Sequence, residues 1–542
     1  MTLVLAVLAV LATLFAGWRA ARRIRFFLHV FQLETYKFDR FVRWCRDHGE
    51  MLVRPSHAVG AVVWVAALAG LLVTSSAWIA ALLLGAWTLT FISSRAYRSD
   101  REKKPLAFTA RMTRLAVATG VVSTVWLGVG TWMGGATGAP GGFLWYVLGF
   151  YVADLGAPLW VLAGAALMQP VETTIHEGFK RDARRQLAER PDVTVIGITG
   201  SYGKTSTKFI LAELLRQKYN VLETPSSYNT PMGLCIAVNE KMRPEHQVLV
   251  LEMGMRYRGD IEELCSIAPP DLSVVTTVGV AHLETMGSIE NIAREKGDIL
   301  EHMQPDGEAV LNVDNEHVRG MVERAPGRVW RVSVEGRNDA QITAHNVRYD
   351  TSGTSFTVCD ETGADATFHT RLLGAHNVLN TLLAVAVGRA MGLRLRAMAR
   401  AAERVEPIEH RLALRQDGDV TIIDDAFNSN PVGARNAIEI LAAMNGGRRI
   451  IVTPGMVELG DRQNEENQAL GHHIAAHDLD LAVLVGAAQT APIQDGLREA
   501  DFPADRIQVV DTFFDAQDLL TRYLDPGDVV LYENDLPDQY DV

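Results

Sequence analysis

Cysteine is scarce in this chain and shows no pattern that would hold a metal or a set of disulfides. The four cysteines lie at positions 45, 235, 265 and 359, without a Cys-x-x-Cys pair or a regular cysteine–histidine spacing. This argues against a cysteine-based zinc site and against a small disulfide-stabilised secreted fold. We therefore expect reduced thiols in a cytosolic environment.

Charged side chains are absent from residues 57–93. A stretch of that length suffices for two membrane-spanning helices of about 20 residues each. Three further apolar segments, 3–17, 115–134 and 143–168, bring the expectation to about five spans within residues 1–170. The last segment contains Asp154 and Pro158, so this carboxylate is either a functional group in the membrane or a residue at a re-entrant bend or cavity.

Acidic residues outnumber basic ones after residue 170. The whole chain has a net charge of -12 although residues 1–170 are net basic, so the remainder is strongly acidic. Nucleic acid is therefore not expected as a partner. The basic residues of the first part lie between the apolar segments, which predicts a multi-pass protein of the bacterial inner membrane whose soluble domains face the cytosol. A basic amphipathic connector, residues 171–190, leads to those domains.

The segment IGITGSYGKTSTK, residues 196–208, places an apolar strand before a glycine turn, a lysine, a hydroxyl and a helix. Backbone N–H groups at such a turn bind phosphate, a lysine reaches the terminal phosphates and a hydroxyl ligates magnesium. The strict phosphate-loop motif G-x-x-x-x-G-K-[ST] would have Gly at residue 198, where this chain has Ile. The shorter glycine–lysine pattern alone could arise by chance, but its strand-turn-helix setting favours ATP binding. The candidate ATP-binding residues here are Gly200, Ser201, Gly203, Lys204, Thr205 and Ser206.

Apolar runs alternate with helical stretches through the rest of the chain, which predicts parallel sheets covered by helices. Residues 328–373 are rich in strand formers and turns, and we expect a small antiparallel insertion there. A second α/β unit begins near residue 406. The predicted fold class is an α-helical membrane region followed by α/β, with a P-loop-type ATP-binding domain at 191–405 and a Rossmann-like domain at 406–542.

Six motifs carry a resemblance to a known family. They are GITGSYGKTSTK (197–208), LEMGMRYRGDI (251–261), AHLETMGSIENIAREKGDI (281–299), GAHNVLN (374–380), IDDAFNSNP (423–431) and PGMVELG (454–460). In this order the motifs resemble the Mur ligase family, most closely its D-alanyl-D-alanine-adding branch, over residues 191–542. The resemblance implies an ATP- and magnesium-dependent ligase that forms an amide through an acyl phosphate.

The resemblance also implies roles for five residues. Thr205 and Glu252 would hold one magnesium ion, and His282 a second. Lys296 matches a lysine that is carbamylated in several members; as an unmodified amine it could instead neutralise phosphate. The implied catalytic set is Lys204, His282 and Lys296. Read alone, Glu252 could cap a loop and His282 could be an ordinary structural histidine.

Further matched positions would complete the substrate sites. Asn377 and Asn380 resemble a pair of which the second lies near adenine, although a helix cap plus a polar surface residue would give the same spacing. Arg411 would face the phosphates, although His410 replaces the usual glycine, and Asp425 would lie near the ribose. The matched loop for the incoming amine contains Asn428 and Asn430, in a sequence that a plain turn would also favour.

Two departures from the family pattern bear on the substrates. The membrane region stands where the usual enzymes have a domain for the UDP-sugar, so the acceptor is carried either by UDP or by a membrane lipid. The last strand leads into Glu533, Asn534 and Asp535 where the branch usually has Lys-Gly-Ser, which leaves the amino acid or dipeptide open. The alternatives are a ligase that extends a lipid-linked or secreted polymer such as polyglutamate, and a membrane transport or regulatory ATPase.

Overall fold

The computed structural model describes residues 2–74, 106–137, 141–225, 228–350, 353–406, 412–426, 430–444, 447–457 and 459–534. The chain divides into two compact units, an amino-terminal unit over Met1–His176 and a larger unit over Glu177–Pro537. Each unit has its own architecture, helical in the first and α/β in the second.

The described part of the amino-terminal unit is helical. Its helices are α1 Thr2–Leu33, α2 Phe38–Asp47, α3 Gly49–Leu52, α4 Pro55–Thr74, α5 Ala110–Thr137, α6 Gly141–Leu155 and α7 Ala157–Ala188. The last of these continues through the expected connector into the second unit. The segment 143–168 is divided between two helices, because the chain bends by 72° between α6 and α7, next to Asp154; a bend at this place was one of the alternatives that the sequence left open. Pro158 explains the break, since proline is tolerated in the first turn of a new helix but not in a helix interior.

The prediction of about five membrane spans is not confirmed by the described residues. Within the described residues, the stretch Ala110–Gly130 of α5 is long and apolar enough to cross a membrane, and the bent pair α6 and α7 would be a second such span if counted together. A shorter apolar helix covers Pro55–Gly70. The second span expected within 57–93 lies largely outside the described residues, so fewer spans are seen than the sequence predicts.

The second unit contains two sheets. Its strands are β1 Thr194–Thr199, β2 Val221–Glu223, β3 Val248–Glu252, β4 Leu272–Val275, β5 Glu308–Asn312, β6 Val329–Ser333, β7 Ile342–Asp350, β8 Gly353–Cys359, β9 Asp365–Thr370, β10 Ala413–Asp417, β11 Val420–Asp425, β12 Arg449–Thr453, β13 Leu481–Val485, β14 Ile507–Val510 and β15 Val529–Glu533. The first nine form one sheet and the last six another.

Helices cover these sheets. Those of the second unit are α8 Lys204–Leu215, α9 Pro231–Ile236, α10 Asp260–Ile267, α11 Leu283–Met286, α12 Ile289–Glu301, α13 Glu316–Arg319, α14 Ala375–Ala390, α15 Leu395–Ala402, α16 Pro431–Ala443, α17 Gln463–Ala476, α18 Ala491–Glu499 and α19 Phe513–Tyr523. The apolar side chains of α8 and α14 join those of the first sheet in one buried cluster.

The first sheet has the order β2-β3-β1-β4-β5-β6-β7-β8-β9. Its first seven strands are parallel, β8 is antiparallel to β7, and β9 is antiparallel to β8. The antiparallel pairing expected within residues 328–373 is confirmed for β7, β8 and β9. Strand β6 pairs parallel with β5 and β7, so these strands extend the first sheet. The carboxyl ends of β1, β3 and β4 meet at one edge, where parallel α/β sheets bind their ligands.

The second sheet has the order β10-β11-β15-β12-β13-β14 and is parallel apart from β10. Sequence reasoning missed β10 and β14. Strand β15 lies between β11 and β12, so the last strand in the chain is central in the sheet and its side chains are buried with those of α16 and α17.

Candidate active site

The turn after β1 has a backbone that requires glycine at two positions. A Cβ on Gly200 would stand 1.9 Å from the Thr276 hydroxyl oxygen, and one on Gly203 would stand 2.5 Å from Asn380 Oδ1. Gly203 also has φ of 80°, which disfavours any residue with a side chain. Helix α8 begins at once with Lys204, whose Nζ donates to the Gly200 carbonyl at 2.8 Å. The lysine thus folds back over a loop whose N–H groups precede a helix N-terminus.

The segment after β4 holds this loop in shape. Ser201 donates its hydroxyl to the Gly279 carbonyl at 3.1 Å, and the Gly279 N–H donates back to that hydroxyl at 2.9 Å. The Thr276 hydroxyl donates to the Tyr202 carbonyl. These bonds attach the loop to the strand end that carries His282, so the two predicted parts of the site are joined directly.

Glu252 ends β3 and lies beneath the start of α8. Thr205 donates its hydroxyl to Glu252 Oε2 at 3.0 Å, so the two predicted magnesium ligands lie side by side. Asn229 donates to Glu252 Oε1 at 3.2 Å. The hydroxyl and carboxylate oxygens are hard donors of the type that magnesium prefers, so these residues fit that ion.

Lys208 also belongs to this candidate site, and the sequence analysis did not identify it. Its Nζ lies 3.3 Å from Glu252 Oε2, and both side chains are almost completely buried. Lys208 stands three residues after Thr205 on α8, so both reach the same carboxylate from one face of the helix. That spacing, within KTSTK, was the signal available in the sequence. The buried ammonium supplies the countercharge that a desolvated carboxylate needs.

His282 and Lys296 lie in a cationic environment. Burial lowers the pKa of His282 to about 3, helped by the positive charges of Lys296, Lys204 and Arg256. Burial also lowers the pKa of Lys296 well below its ordinary value, and the Lys204 charge acts in the same direction. The imidazole is therefore neutral, the form that binds metals. Positive charges gathered in this way favour a polyphosphate ligand.

The neighbour of Lys296 fixes the helix that carries it. Glu295 accepts hydrogen bonds from the N–H groups of Gly259 and Ile261, at 2.9 and 3.0 Å. These bonds tie α12 to the beginning of α10. Lys296 thus occupies a position that is set by backbone contacts rather than by its own flexible chain.

The two predicted asparagines of α14 are both buried, so the interpretation as a cap plus a surface residue does not hold. Asn380 accepts a hydrogen bond from the Thr207 hydroxyl at 3.2 Å and donates to Asn377 Oδ1 at 3.1 Å. Asn377 in turn donates to the Leu373 carbonyl at 2.8 Å. The pair packs against Gly203 and braces the phosphate loop; proximity to adenine stays a prediction. Ser206, also buried, follows Thr205 in α8.

The candidates from the second sheet have mixed outcomes. Asp425 ends β11 and accepts a hydrogen bond from the Leu412 N–H at 3.1 Å. Asn430 caps α16, accepting from the Gly433 N–H at 2.9 Å, which is what a plain turn and helix start would show. Arg411 and Asn428 lie outside the described residues. The substrate roles of all four stay predictions.

The acidic end of β15 is part of the fold. Glu533 is fully buried and accepts a hydrogen bond from the Thr453 hydroxyl at 2.7 Å. Asn534 donates to the Gly455 carbonyl at 2.6 Å. The two residues therefore hold β15 against the end of β12, while Asp535 lies outside the described residues.

Comparisons with known proteins agree with this geometry. The model of the Mur ligase middle domain matches residues 198–388, and that of the Mur ligase, glutamate ligase domain matches 410–532. UDP-N-acetylmuramoyl-tripeptide--D-alanyl-D-alanine ligase of Mycobacterium tuberculosis is 35% identical over 358 residues, covering 62% of this chain and 70% of the relative.

Solved structures agree in fold. MurF from Acinetobacter baumannii has a TM-score of 0.61 and 25% identity, covering 67% of this chain and 78% of the other. The MurF ligase of Thermotoga maritima, solved in complex with ADP, has a TM-score of 0.59 and 29% identity, covering 66% and 80%. With both family domains matched over most of the second unit, this chain belongs to the Mur ligase family.

Proposed function

We propose that this chain is an ATP- and magnesium-dependent amide ligase that adds D-alanyl-D-alanine to the terminal peptide carboxylate of a cell-wall precursor. The observation that carries the proposal is that Lys204, Thr205, Glu252, His282 and Lys296 form one cluster at the edge of the first sheet. The names of the relatives supply the D-alanyl-D-alanine reaction and its UDP-linked tripeptide acceptor.

The reaction would proceed in two displacements. A carboxylate oxygen of the acceptor attacks the γ-phosphorus of ATP, and the bond from that phosphorus to the β,γ-bridging oxygen breaks. ADP is the leaving group, and the acceptor becomes an acyl phosphate. The amine nitrogen then attacks the acyl carbon and loses a proton, and inorganic phosphate departs with the electron pair. Lys204 would follow the negative charge on the transferred phosphoryl oxygens in the first step. Thr205 and Glu252 would hold magnesium, which neutralises charge on the phosphates.

Lys296 has two candidate states. Burial lowers the pKa of Lys296 and so favours its neutral amine, the form that can add carbon dioxide with formation of an N–C bond and loss of a proton. The resulting carbamate would place a carboxylate beside His282 and remove a positive charge from the place where the second magnesium ion is expected. The unmodified ammonium would instead neutralise phosphate.

The remaining matched residues have proposed binding roles. Asn377, Asn380, Arg411 and Asp425 would line the nucleotide site, and Asn428 and Asn430 would lie along the path of the incoming amine. The proposed domains are a central ATP-binding domain at 191–405 and a C-terminal domain at 406–542. These boundaries coincide with the change from the first sheet to the second.

We also propose that residues 1–170 hold the enzyme at the bacterial inner membrane as a multi-pass region, with the ligase domains in the cytosol. Support comes from the apolar stretch Ala110–Gly130, the exposure of Val117, Val121 and Val125 along it, and the bent pair α6 and α7. Basic segments beside these helices would attract anionic, phosphate-bearing membrane lipid. A lipid-linked acceptor is the alternative to a UDP-linked one.

Two other functions make different predictions. A ligase that extends a polymer such as polyglutamate would need the same phosphoryl-transfer residues but another acceptor and amine. A transport or regulatory ATPase would release phosphate without either. Phosphate release measured with acceptor and amine added separately and together distinguishes the ATPase from the ligases. Mass analysis of precursors that accumulate on depletion of the protein identifies the acceptor.

A further inference from the structure

A second cluster of metal-binding side chains lies between two helices of the C-terminal domain. Glu439 of α16 and His473 and His477 at the end of α17 place one ligand atom each within 4.8 Å of one another. His473 Nε2 is 3.8 Å from Glu439 Oε1. The two imidazole rings have their centroids 4.6 Å apart at an angle of 71°. None of these residues belongs to the proposed catalytic cluster.

The backbone brings these three donors together. The histidines are four residues apart, so they project from the same face at the end of α17. Helix α16 packs against α17 and presents Glu439 to that face. Two histidines at this spacing on a helix are a recurrent way of holding a divalent cation, with a third ligand from a neighbouring element.

His473 is poised as a ligand. Its Nε2 is buried and has no hydrogen-bond partner among the described residues, which is unusual for a buried polar atom. A backbone hydrogen bond with Arg435 engages the ring, an arrangement that orients ligating histidines in metal sites. The Glu439 side chain is 54% exposed, so the cluster is open to solvent on one side. A cation can enter there, and water can fill a remaining position.

We propose that Glu439, His473 and His477 form a binding site for a divalent transition metal of the zinc type. Two imidazole nitrogens and one carboxylate suit zinc or cobalt, whereas magnesium prefers oxygen ligands only. Ligand atoms around a tetrahedral zinc stand about 3.3 Å apart, given bonds of about 2.0–2.1 Å. The observed separations exceed this by no more than about 1.5 Å, which side-chain rotation in the partly exposed residues can supply.

Such a cation would cross-link α16 to α17. Helix α16 starts at Pro431, directly after Asn430 of the loop proposed to guide the incoming amine. The positive side chain of Arg435, one turn before Glu439, lies close enough to oppose cation binding. The site is thus suited to reversible occupation, and it is independent of the ligase reaction.

Zinc binding to the full chain tests the proposal. The untagged protein in detergent is first saturated with magnesium and ADP, so that the nucleotide site is filled, and is then titrated calorimetrically with Zn²⁺. One further equivalent should bind to the wild type. Glu439→Gln, His473→Ala and His477→Gln should each weaken that binding by at least about tenfold. Co²⁺ added in place of zinc should give the intense visible absorption of a tetrahedral site, and the three variants should lose it.

The same helix offers a matched control. His472 also pairs with a glutamate, its Nε2 being 2.9 Å from Glu499 Oε2, but it is outside the three-ligand cluster. His472→Ala should bind zinc as tightly as the wild type. Each variant is checked for folding by its thermal stabilisation with ADP, and partly exposed His477 serves if His473→Ala does not fold. Absence of zinc binding by the wild type, or unchanged binding by folded His473→Ala or His477→Gln, would overturn the proposal.

Discussion

Lys204 has a long, flexible side chain on a backbone position that is fixed at the start of α8. Its ammonium group returns to the Gly200 carbonyl at 2.8 Å, directly over the turn that would receive phosphate. In a catalytic role it would move from this carbonyl to the phosphate oxygens. The exchange is feasible because a neutral carbonyl competes poorly with a polyphosphate for an ammonium ion.

The substitution Lys204→Ala should lower turnover by about a hundredfold or more while membrane insertion and folding remain intact. The positive charge is expected to contribute several kcal/mol, about 3, in the transition state. Phosphate release in the presence of both substrates measures the effect. The exposed Lys241 provides a control, and Lys241→Ala should behave as the wild type. Turnover near the wild-type rate in folded Lys204→Ala would remove the lysine from the mechanism.

Chemical rescue distinguishes a carbamylated Lys296 from an unmodified amine. If it is carbamylated, Lys296→Ala should lose activity and regain part of it when short carboxylates are added, because they can occupy the vacated place near magnesium. Activity is measured as amide product with and without formate or acetate. Inactivity without rescue would favour the unmodified amine, and full activity of the variant would exclude both roles.

At the level of elements, the buried pair of Lys208 and Glu252 joins α8 to the end of β3. Lys208→Met should destabilise the second unit by about 3–5 kcal/mol, because it leaves a buried carboxylate without its cation. The shift in denaturant midpoint of the ligase transition measures this. The exposed pair of Arg216 and Glu223 is the comparison, and Arg216→Met should cost less than about 1 kcal/mol. Equal effects of the two substitutions would show that the buried pair contributes no special stability.

The sequence predicts most strands of the parallel sheets because short, continuous apolar runs such as LAVLV at 481–485 are typical of strands that are buried on both faces. It does not predict β14, where two of the four residues, Gln508 and Val509, are exposed at the sheet edge. It predicts the antiparallel pairing within 328–373 but not that these strands extend the first sheet, since the alternation of strand residues does not say which sheet a strand joins. That choice depends on contacts distant in sequence, such as Leu311 beside Arg331.

The site is predictable to a similar extent. Glycine, lysine and hydroxyl at fixed spacing identify the phosphate loop, because the turn geometry allows few other residues. The bracing by Asn380 depends on which helix lies against the loop, and the counter-ion role of Lys208 depends on the end of β3 lying beside α8. Those contacts join residues 173 positions apart in the case of Thr207 and Asn380, which no local pattern reveals.

On the scale of the whole molecule, the amino-terminal unit raises the question of where the acceptor resides. A single helix would suffice as a tether, and each additional span must be packed and satisfied within lipid. We therefore expect the region to place the ligase beside a membrane-borne acceptor.

A fragment without this region tests that expectation. Residues 171–542 should keep ATP binding but lose most ligation on the native acceptor in bilayers. Rates with the acceptor in bilayers and with a soluble UDP-linked tripeptide are compared for the fragment and the full chain. If the fragment uses the UDP-linked tripeptide as fast as the full chain does, the amino-terminal unit is only an anchor and the conventional substrate applies.

The central claim is that this chain couples the cleavage of ATP to ADP and phosphate with the formation of an amide bond. The most direct measurement follows phosphate release by the full chain in lipid with ATP and magnesium, adding a tripeptide-bearing acceptor, D-alanyl-D-alanine, or both, and weighing the product by mass spectrometry. We predict sustained release only with both substrates, together with a product whose mass equals their sum less one water. Equal phosphate release without acceptor or without amine, and no condensed product, would contradict the account.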